Sequence, residues 1–278
     1  MWQSLTVTSD EGTGIRAVAK GEGHPIVIVH GGLDDGSSWH RVAQRLARRW
    51  RVARLHRRQY RLDLAASLPC TMAQEAEDVA ALAASLGEGV VLVGHSSGAV
   101  VALEALVAAP SRFAGAVLYE PPIHLRPGEW DVQLAQAKAA RGPGKALRVF
   151  TRDIVGLPGW MAWLIGVMAT VVPRFRRLTP HQIDDAAAIN DLGVRLDAYA
   201  GIDVPVVLLG GDRSPAHLGE RLDALARVLP QAEKVVMPGI GHDGAMRAPD
   251  TVAKVVEDLA TRAGTPQPGT PGVDSMDE

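Results

Sequence analysis

Residues 90–106 read VVLVGHSSGAVVALEAL. The first four are apolar and typical of a buried strand, the next five form the motif Gly-x-Ser-x-Gly, and the remainder favours a helix. Glycines at positions 94 and 98 leave room for a tight turn. Such a turn would expose the hydroxyl of Ser96 and place the backbone N–H of Ser97 at the start of the helix, where it can stabilise an oxyanion. The stretch therefore predicts a nucleophilic serine, with a Gly/Ser-rich turn of no chemical role as the alternative.

Strand and helix patterns alternate on both sides of this stretch. The strand segments are runs of Val, Leu and Ile, which are typical of parallel strands covered on both faces. Besides residues 90–93, we expect strands at 5–8, 15–20, 25–29, 51–55, 114–119, 204–209 and 234–237. The alternation predicts an α/β fold with a doubly wound, mainly parallel sheet of eight strands and helices on both faces.

The chain between the sixth and seventh strands breaks this alternation. It shows helical patterns near 130–140, 145–155, 160–172 and 180–190 and no strand pattern. An all-helical insertion after the sixth strand is expected to cover the carboxyl ends of the strands, where ligands bind in this architecture. We therefore expect a core of residues 1–122 and 201–263 and a helical cap of residues 123–200. The Pro/Gly-rich residues 264–278 are expected to be a disordered tail.

The composition excludes several classes of protein. A net charge of −2 over 278 residues argues against general nucleic-acid binding. The single cysteine, Cys70, excludes a disulfide framework and is typical of a reducing compartment. The first residues lack the basic and apolar regions of a signal peptide, and we expect a cytoplasmic protein. Both a monomer and a homodimer are compatible with the sequence.

An uncharged segment, residues 154–173, approaches the length of a membrane span. Gly156, Pro158 and Gly159 interrupt its beginning and leave about 14 residues of helix, too short to cross ~30 Å at 1.5 Å per residue. We therefore expect a buried or lid helix and no membrane span, with attachment to a lipid surface as the alternative.

Residues 36–62 contain nine arginines and no acidic residue. Such a segment is most often a solvated helix face and a strand end. The alternative is a surface that steers an acidic partner, such as an acyl carrier protein or coenzyme A.

Four motifs occur in an order and at spacings that together resemble the α/β-hydrolase superfamily over residues 4–262. They are HGG at 30–32, the serine turn at 94–98, GGD at 210–212 and GIGH at 239–242, with a helical insertion of the right length between the second and third. The resemblance implies the α/β-hydrolase fold and a serine hydrolase that needs no cofactor and no metal ion. One segment departs from the family pattern: HRRQYR at 56–61 resembles the family's Asp-x-Arg-Gly-x-Gly loop but lacks its aspartate and glycines.

A serine hydroxyl needs a base, and the base needs a carboxylate. His242 is the expected base because it follows a late strand in a glycine-containing loop near the end of the chain, as the superfamily's histidine does. The acid is left open between two residues, with Asp212 preferred. Asp212 follows the penultimate strand, where most superfamily members carry the acid. Glu120 follows the strand after the serine turn, where certain lactonases and dehalogenases carry a glutamate.

The remaining site predictions concern the oxyanion hole and the pocket. Gly32 or Leu33 is expected to donate a backbone N–H to the oxyanion together with Ser97, and His30 to orient this loop. Six histidines are assigned no role: His24, His40, His56, His124, His181 and His217. A mainly apolar substrate pocket is expected to use His30, His95, Trp130, Trp160, Trp163 and Met161, and the alternative for the cap residues is that they only pack the cap onto the core.

The expected function is hydrolysis of a carboxylic ester or lactone of a bulky apolar small molecule through an acyl-enzyme. Thioester hydrolysis, carbon–carbon bond cleavage of a diketone and perhydrolysis are alternatives on the same triad. A different class remains open as well: a receptor-like ligand-binding protein, or a lyase or cyclase that uses the cap pocket without net hydrolysis.

Overall fold

The computed structural model describes residues 1–9 and 11–263, so the predicted tail at 264–278 lies outside the described residues. One sheet forms the centre of the fold. Its strands are β1 Gln3–Thr8, β2 Gly14–Lys20, β3 Pro25–Val29, β4 Arg51–His56, β5 Val90–His95, β6 Phe113–Tyr119, β7 Val206–Gly211 and β8 Ala232–Met237. Their order is β1-β2-β4-β3-β5-β6-β7-β8. β2 is antiparallel to β1 and β4, and the other neighbouring pairs are parallel. The predicted eight-stranded, mainly parallel sheet is confirmed.

The helices fall into two groups, those that cover the sheet and those inserted between β6 and β7. In chain order they are α1 His40–Leu46, α2 Met72–Leu86, α3 Ser97–Ala108, α4 Asp131–Ala139, α5 Pro143–Val149, α6 Gly159–Val171, α7 Pro173–Leu192, α8 Leu196–Tyr199, α9 Ala216–Val228, α10 Gly244–Arg247 and α11 Pro249–Ala263. Helices α4 to α8 form what we call the helical insertion.

Strand β3 shows how the core is divided between the two faces of the sheet. Successive side chains of a strand point to opposite faces. Ile26 and Ile28 are buried on the face covered by α1 and α11, whereas Val27 and Val29 are buried on the face covered by α2, α3 and α9. Because both faces are covered, the strand is apolar throughout.

The helical insertion differs from the sequence expectation at its boundaries. The segment predicted at 145–155 is α5 followed by a π-helical turn, Phe150–Ile154. The helix predicted at 180–190 is α7, which begins seven residues earlier because Pro180 lies inside the helix and does not start it. Within residues 1–9 and 11–263, no helix is both long enough and apolar enough to cross a membrane.

Helix α6, expected to be a buried or lid helix, buries only its small residues. Ala162, Gly166 and Ala169 are the buried positions, and α6 packs against α5 and α7. A Cβ on Gly166 would lie 2.6 Å from the carbonyl oxygen of Gly144, so the backbones of α5 and α6 approach closely. The large apolar side chains of α6 consequently point to solvent.

Candidate active site

Three residues with left-handed backbone conformations follow three adjacent strands. Leu33, Ser96 and Glu120 follow β3, β5 and β6, with φ values of 54°, 53° and 47°. They are the non-glycine residues with positive φ in the described part of the chain. Such conformations cost on the order of 1–3 kcal/mol each and cluster at functional sites. The strain therefore marks the carboxyl edge of these strands as a candidate site.

The turn around Ser96 depends on the two glycines that the sequence motif supplies. A Cβ on Gly94 would lie 2.5 Å from Cα of Ala99, and a Cβ on Gly98 would lie 2.2 Å from the carbonyl oxygen of His30. The backbone N–H of Ser96 donates to the carbonyl of Tyr119 at 2.8 Å. Ser96 is thus held in a turn between β5 and α3 in which positions 94 and 98 have no room for a side chain.

His242 follows β8 and is paired with Glu120. Its Nδ1 lies 2.6 Å from Oε2 of the Glu120 carboxylate, which is 1% exposed. The other carboxylate oxygen accepts the backbone N–H of Gly211 at 2.8 Å. A carboxylate held on Nδ1 fixes the histidine tautomer and leaves Nε2 free to take up a proton.

Asp212, the preferred acid of the sequence analysis, has another partner. Its Oδ1 accepts the backbone N–H of Gly239 at 2.7 Å, and its side chain is exposed. The backbone explains this orientation, because the N–H of Asp212 donates to Met237 and that of Arg213 to Ile240. These bonds direct the Asp212 side chain to the loop after β8, and the geometry favours Glu120 as the partner of His242.

His95 supports the loop that carries His242. Its Nε2 lies 2.9 Å from the carbonyl oxygen of His242, and the two rings are 4.7 Å apart between centroids. Burial, together with the nearby His242, holds the pKa of His95 well below its ordinary value. A neutral His95 donates its Nε2–H to that carbonyl, so it positions the loop in addition to lining the cavity.

The loop after β3 passes directly against the serine. A Cβ on Gly31 would lie 3.0 Å from Cβ of Ser96, and one on Gly32 would lie 1.8 Å from Oε1 of Gln182. Gly32, Leu33 and Ser97 line the same cavity as Ser96. The expected oxyanion donors are therefore grouped around the serine, while Gln182 of α7 occupies the space above Gly32.

His30 lies behind this loop and does not line the cavity. It is fully buried, and burial lowers its pKa to about 4. Its Nε2 accepts the backbone N–H of Arg57 at 3.1 Å, which leaves the proton on Nδ1, 2.7 Å from the carbonyl oxygen of Gly31. His30 therefore fixes the loop, and the predicted substrate contact by His30 is replaced by this internal role.

Arg57 connects the helices that surround the serine. Its guanidinium donates to Oγ of Ser97 at 2.7 Å and to Oδ1 of Asp185 at 2.6 Å, and it pairs with the Glu75 carboxylate. Tyr60 donates its hydroxyl to Oδ2 of Asp185 at 2.7 Å. All of these side chains are buried, that of Ser97 included. The group joins α2, α3 and α7 immediately behind the expected oxyanion hole.

The nine arginines of residues 36–62 do not form one surface. Arg57, Arg58 and Arg61 are buried, and Arg58 donates to Asp78 at 2.6 and 2.8 Å. Arg61 pairs with Asp63 at 2.7 Å. These three are internal partners of carboxylates, so they are not available to steer an acyl carrier protein or coenzyme A.

A cavity of about 210 Å³ is lined by Ser96, His242 and side chains of the helical insertion. Its wall is mostly apolar, and its insertion-side and α9 residues are Trp130, Phe150, Thr151, Ile154, Val155, Gln182, Ala186, Ile189, His217 and Leu218. Trp130 is therefore one of the residues that line this cavity. Trp160, Trp163 and Met161 belong to α6 and do not line the cavity, because α6 turns its small residues inward.

Three polar residues of this wall were missed: Thr151, Gln182 and His217. Gln182 lies on the buried face of α7, and no sequence signal separates it from a packing residue. His217 was assigned no role, and both its nitrogens are used by the protein: Nδ1 accepts from Arg221 at 3.2 Å and Nε2 donates to Val155 at 2.9 Å. His217 can therefore shape the wall but has no nitrogen left for proton transfer. Within the described residues, no group of His, Cys, Asp and Glu side chains is arranged to hold a metal ion.

Comparisons with known proteins agree with this fold. Residues 26–255 match a family model described as "Alpha/beta hydrolase family". A search of curated proteins gives no match. Among solved structures, an alpha/beta hydrolase from Sphaerobacter thermophilus DSM 20745 is similar, with 27% identity, a TM-score of 0.75, and 92% of this chain and 99% of that chain covered.

Two further solved structures share the fold at lower identity. A thermophilic esterase from Thermogutta terrifontis has 23% identity and a TM-score of 0.71, with 95% of this chain and 100% of that chain covered. An N-acyl homoserine lactone degrading enzyme has 21% identity and a TM-score of 0.67, with 91% and 99% covered.

Proposed function

The chain belongs to the α/β hydrolase family, and we propose that it is a serine hydrolase that cleaves a carboxylic ester or lactone through an acyl-enzyme. The observation that carries the proposal is the 2.6 Å contact between His242 Nδ1 and Glu120 Oε2 beside the cavity that Ser96 lines. A serine becomes nucleophilic only when a base takes its proton, and this pair supplies an oriented base.

In the proposed reaction, Ser96 Oγ attacks the carbonyl carbon while its proton passes to Nε2 of His242. The buried Glu120 carboxylate stabilises the resulting imidazolium. The carbonyl oxygen, now negative, accepts backbone N–H groups of Ser97 and of Gly32 or Leu33. His242 then gives its proton to the leaving alcohol, and the acyl group remains on Ser96. Water repeats the sequence, forms the carboxylic acid and restores the serine hydroxyl.

Glu120 is the acid of this triad, and Asp212 is a loop residue. Glu120 is buried with both oxygens bonded, one to His242 and one to the backbone of Gly211. Because the protein interior has a lower dielectric constant than water, a buried carboxylate interacts more strongly with a charged imidazole than an exposed carboxylate does. The exposed Asp212 already accepts from Gly239.

The substrate carries a small or medium apolar group next to its carbonyl. The cavity of about 210 Å³ is somewhat larger than the ~150 Å³ that accommodates benzene in an engineered protein cavity. Its wall offers Trp130, Phe150 and Ile154 as apolar contacts, with Gln182 as a polar group beside Gly32. We further propose that residues 123–200 act as a cap, because Trp130 and α7 contribute directly to this wall.

Activity-based labelling tests the proposal. A fluorophosphonate probe is expected to label the wild-type protein, and Ser96→Ala is expected to abolish labelling because the nucleophile is lost. Ser37→Ala, in the short 3₁₀ helix Ser37–Trp39 outside the cavity, serves as the matched control and should label as the wild type does. A folded wild-type protein that resists the probe and hydrolyses none of a panel of short and long p-nitrophenyl esters and lactones would overturn it.

A further inference from the structure

Helix α6 presents a continuous apolar stripe to solvent. Trp160 is 69% exposed and Trp163 is 57% exposed. The exposed large side chains recur at i, i+3, i+4, i+7, i+8 and i+11, which places them on one face of a helix: Trp160, Trp163, Leu164, Val167, Met168 and Val171. The opposite face holds Ala162, Gly166 and Ala169 and is packed inward. Contiguous apolar surface of this kind marks an interaction site.

Cations flank the stripe on both sides along the chain. Between positions 138 and 178 there is one acidic residue, Asp153, which pairs with Arg152. The same segment contains eight exposed basic residues: Lys138, Arg141, Lys145, Arg148, Arg152, Arg174, Arg176 and Arg177. Arg174 also pairs with Asp35 at 3.0 Å.

The cations are neighbours of the stripe in space as well as in sequence. Lys145 and Arg148 of α5 border the same surface groove as Trp163 and Val167 of α6. Arg174, Arg176 and Arg177 lie in the first turns of α7, which begins two residues after α6 ends. An apolar helix face with tryptophans and a basic border is the composition of a segment that lies in a membrane interface.

We infer that α6 and its basic border form a docking surface for anionic phospholipid bilayers. The stripe would enter the boundary between headgroups and acyl chains, and the exposed cations would contact lipid phosphates. The helix lies in the interface and does not cross it, because 13 residues span only about 20 Å. A second copy of the chain fits less well, since a two-fold interface would bring the same basic borders against each other. This inference does not rest on the proposed function.

Vesicle co-sedimentation tests the docking surface. The full chain is mixed with phosphatidylcholine vesicles, with and without phosphatidylserine, and the tryptophan emission is followed. Binding to the phosphatidylserine vesicles and a blue shift are expected for the wild type. W160S/W163S should lose at least about 10-fold in partition coefficient, because two tryptophans leave the interface. R176E/R177E should lose the preference for phosphatidylserine.

An exposed apolar residue outside the stripe supplies the control variant. Val132→Ser removes an exposed apolar residue of α4 outside the stripe, and it should partition like the wild type. Thermal unfolding of each variant checks that the fold is retained. Equal partition of the wild type and W160S/W163S would overturn the inference. So would a concentration-dependent dimer that W160S/W163S dissociates, or an acidic protein bound in place of vesicles.

Discussion

Arg57 Nη2 lies 2.6 Å from Asp185 Oδ1, and both side chains are completely buried. Arg57 follows β4 in the core, whereas Asp185 lies on α7 of the helical insertion. The same guanidinium binds Glu75 and the hydroxyl of Ser97. One positive charge thus attaches the insertion to the core and fixes the first residue of the helix behind the nucleophile.

Removal of this charge is expected to destabilise the protein strongly. Arg57→Met leaves Glu75 and Asp185 as two buried carboxylates without a cation, and breaking buried pairs in this way costs roughly 3–5 kcal/mol. Urea unfolding measures the loss. Arg262→Met is the matched control, because its pair with Glu233 is exposed and worth at most about 1 kcal/mol. Equal losses in the two variants would contradict the role given to Arg57.

The two candidate acids are separated by kinetics. Glu120→Gln should lower kcat by about 10³–10⁴, because an amide on Nδ1 no longer holds the tautomer or stabilises the imidazolium. Asp212→Asn should leave kcat near the wild-type value, since its amide oxygen can still accept from Gly239. Steady-state hydrolysis of an ester substrate gives kcat for both variants. A large loss in Asp212→Asn with a small loss in Glu120→Gln would reverse the assignment.

Gly98 of the serine turn and Gly219 differ in the space that each leaves for a side chain. Gly98→Ala places a Cβ 2.2 Å from a backbone oxygen, and overpacking of this kind costs roughly 1–3 kcal/mol or more. Gly219 lies in α9, and a Cβ added there would meet no atom within 4 Å. Gly219→Ala should therefore stabilise the protein by about 0.5–1 kcal/mol. Chemical denaturation of the two variants should give shifts of opposite sign.

Acid is expected to weaken the fold through His30. Burial lowers the pKa of His30 from 6.5 to about 4. Between these values the unfolded chain binds a proton that the native state excludes, so the free energy of unfolding falls as the pH falls from about 6.5 to about 4. The full interval is worth on the order of 3 kcal/mol.

His30→Asn isolates this effect. The amide can accept and donate as the imidazole does but takes up no proton in this range. Urea unfolding of the variant should therefore depend less steeply on pH between about 6.5 and about 4 than that of the wild type. The buried His95, whose pKa is also lowered, keeps its own contribution in both proteins. Parallel pH profiles would refute the assignment to His30.

The sequence predicted the sheet and the grouping of Ser96 with His242 because both depend on local patterns. Strand composition gives the parallel sheet, and residues that follow parallel strands meet at one edge. The acid was harder, since Glu120 and Asp212 follow the neighbouring strands β6 and β7. The choice depends on backbone bonds of residues 212 and 213 to the loop after β8, which no local pattern encodes.

The orientation of helix α6 is a second feature that the sequence did not predict. A segment that is apolar all round gives no amphipathic direction, so the tryptophans were expected to face the pocket. The available signal was the spacing of Ala162, Gly166 and Ala169 at i, i+4 and i+7, because small residues on one face permit close packing of backbones. Gly144 on α5 supplies the matching small residue.

The strained backbone at Leu33, Ser96 and Glu120 determines what substitution of these residues by glycine would do to the stability and the chemistry of the protein. Glycine adopts such conformations without the penalty of a Cβ. Replacement of these residues by glycine would relieve strain, and at Ser96 and Glu120 it would also remove the nucleophile and the paired carboxylate. Random substitution by glycine at Ser96 or Glu120 would therefore increase folding stability and destroy the proposed chemistry. This chain retains a side chain at all three strained positions.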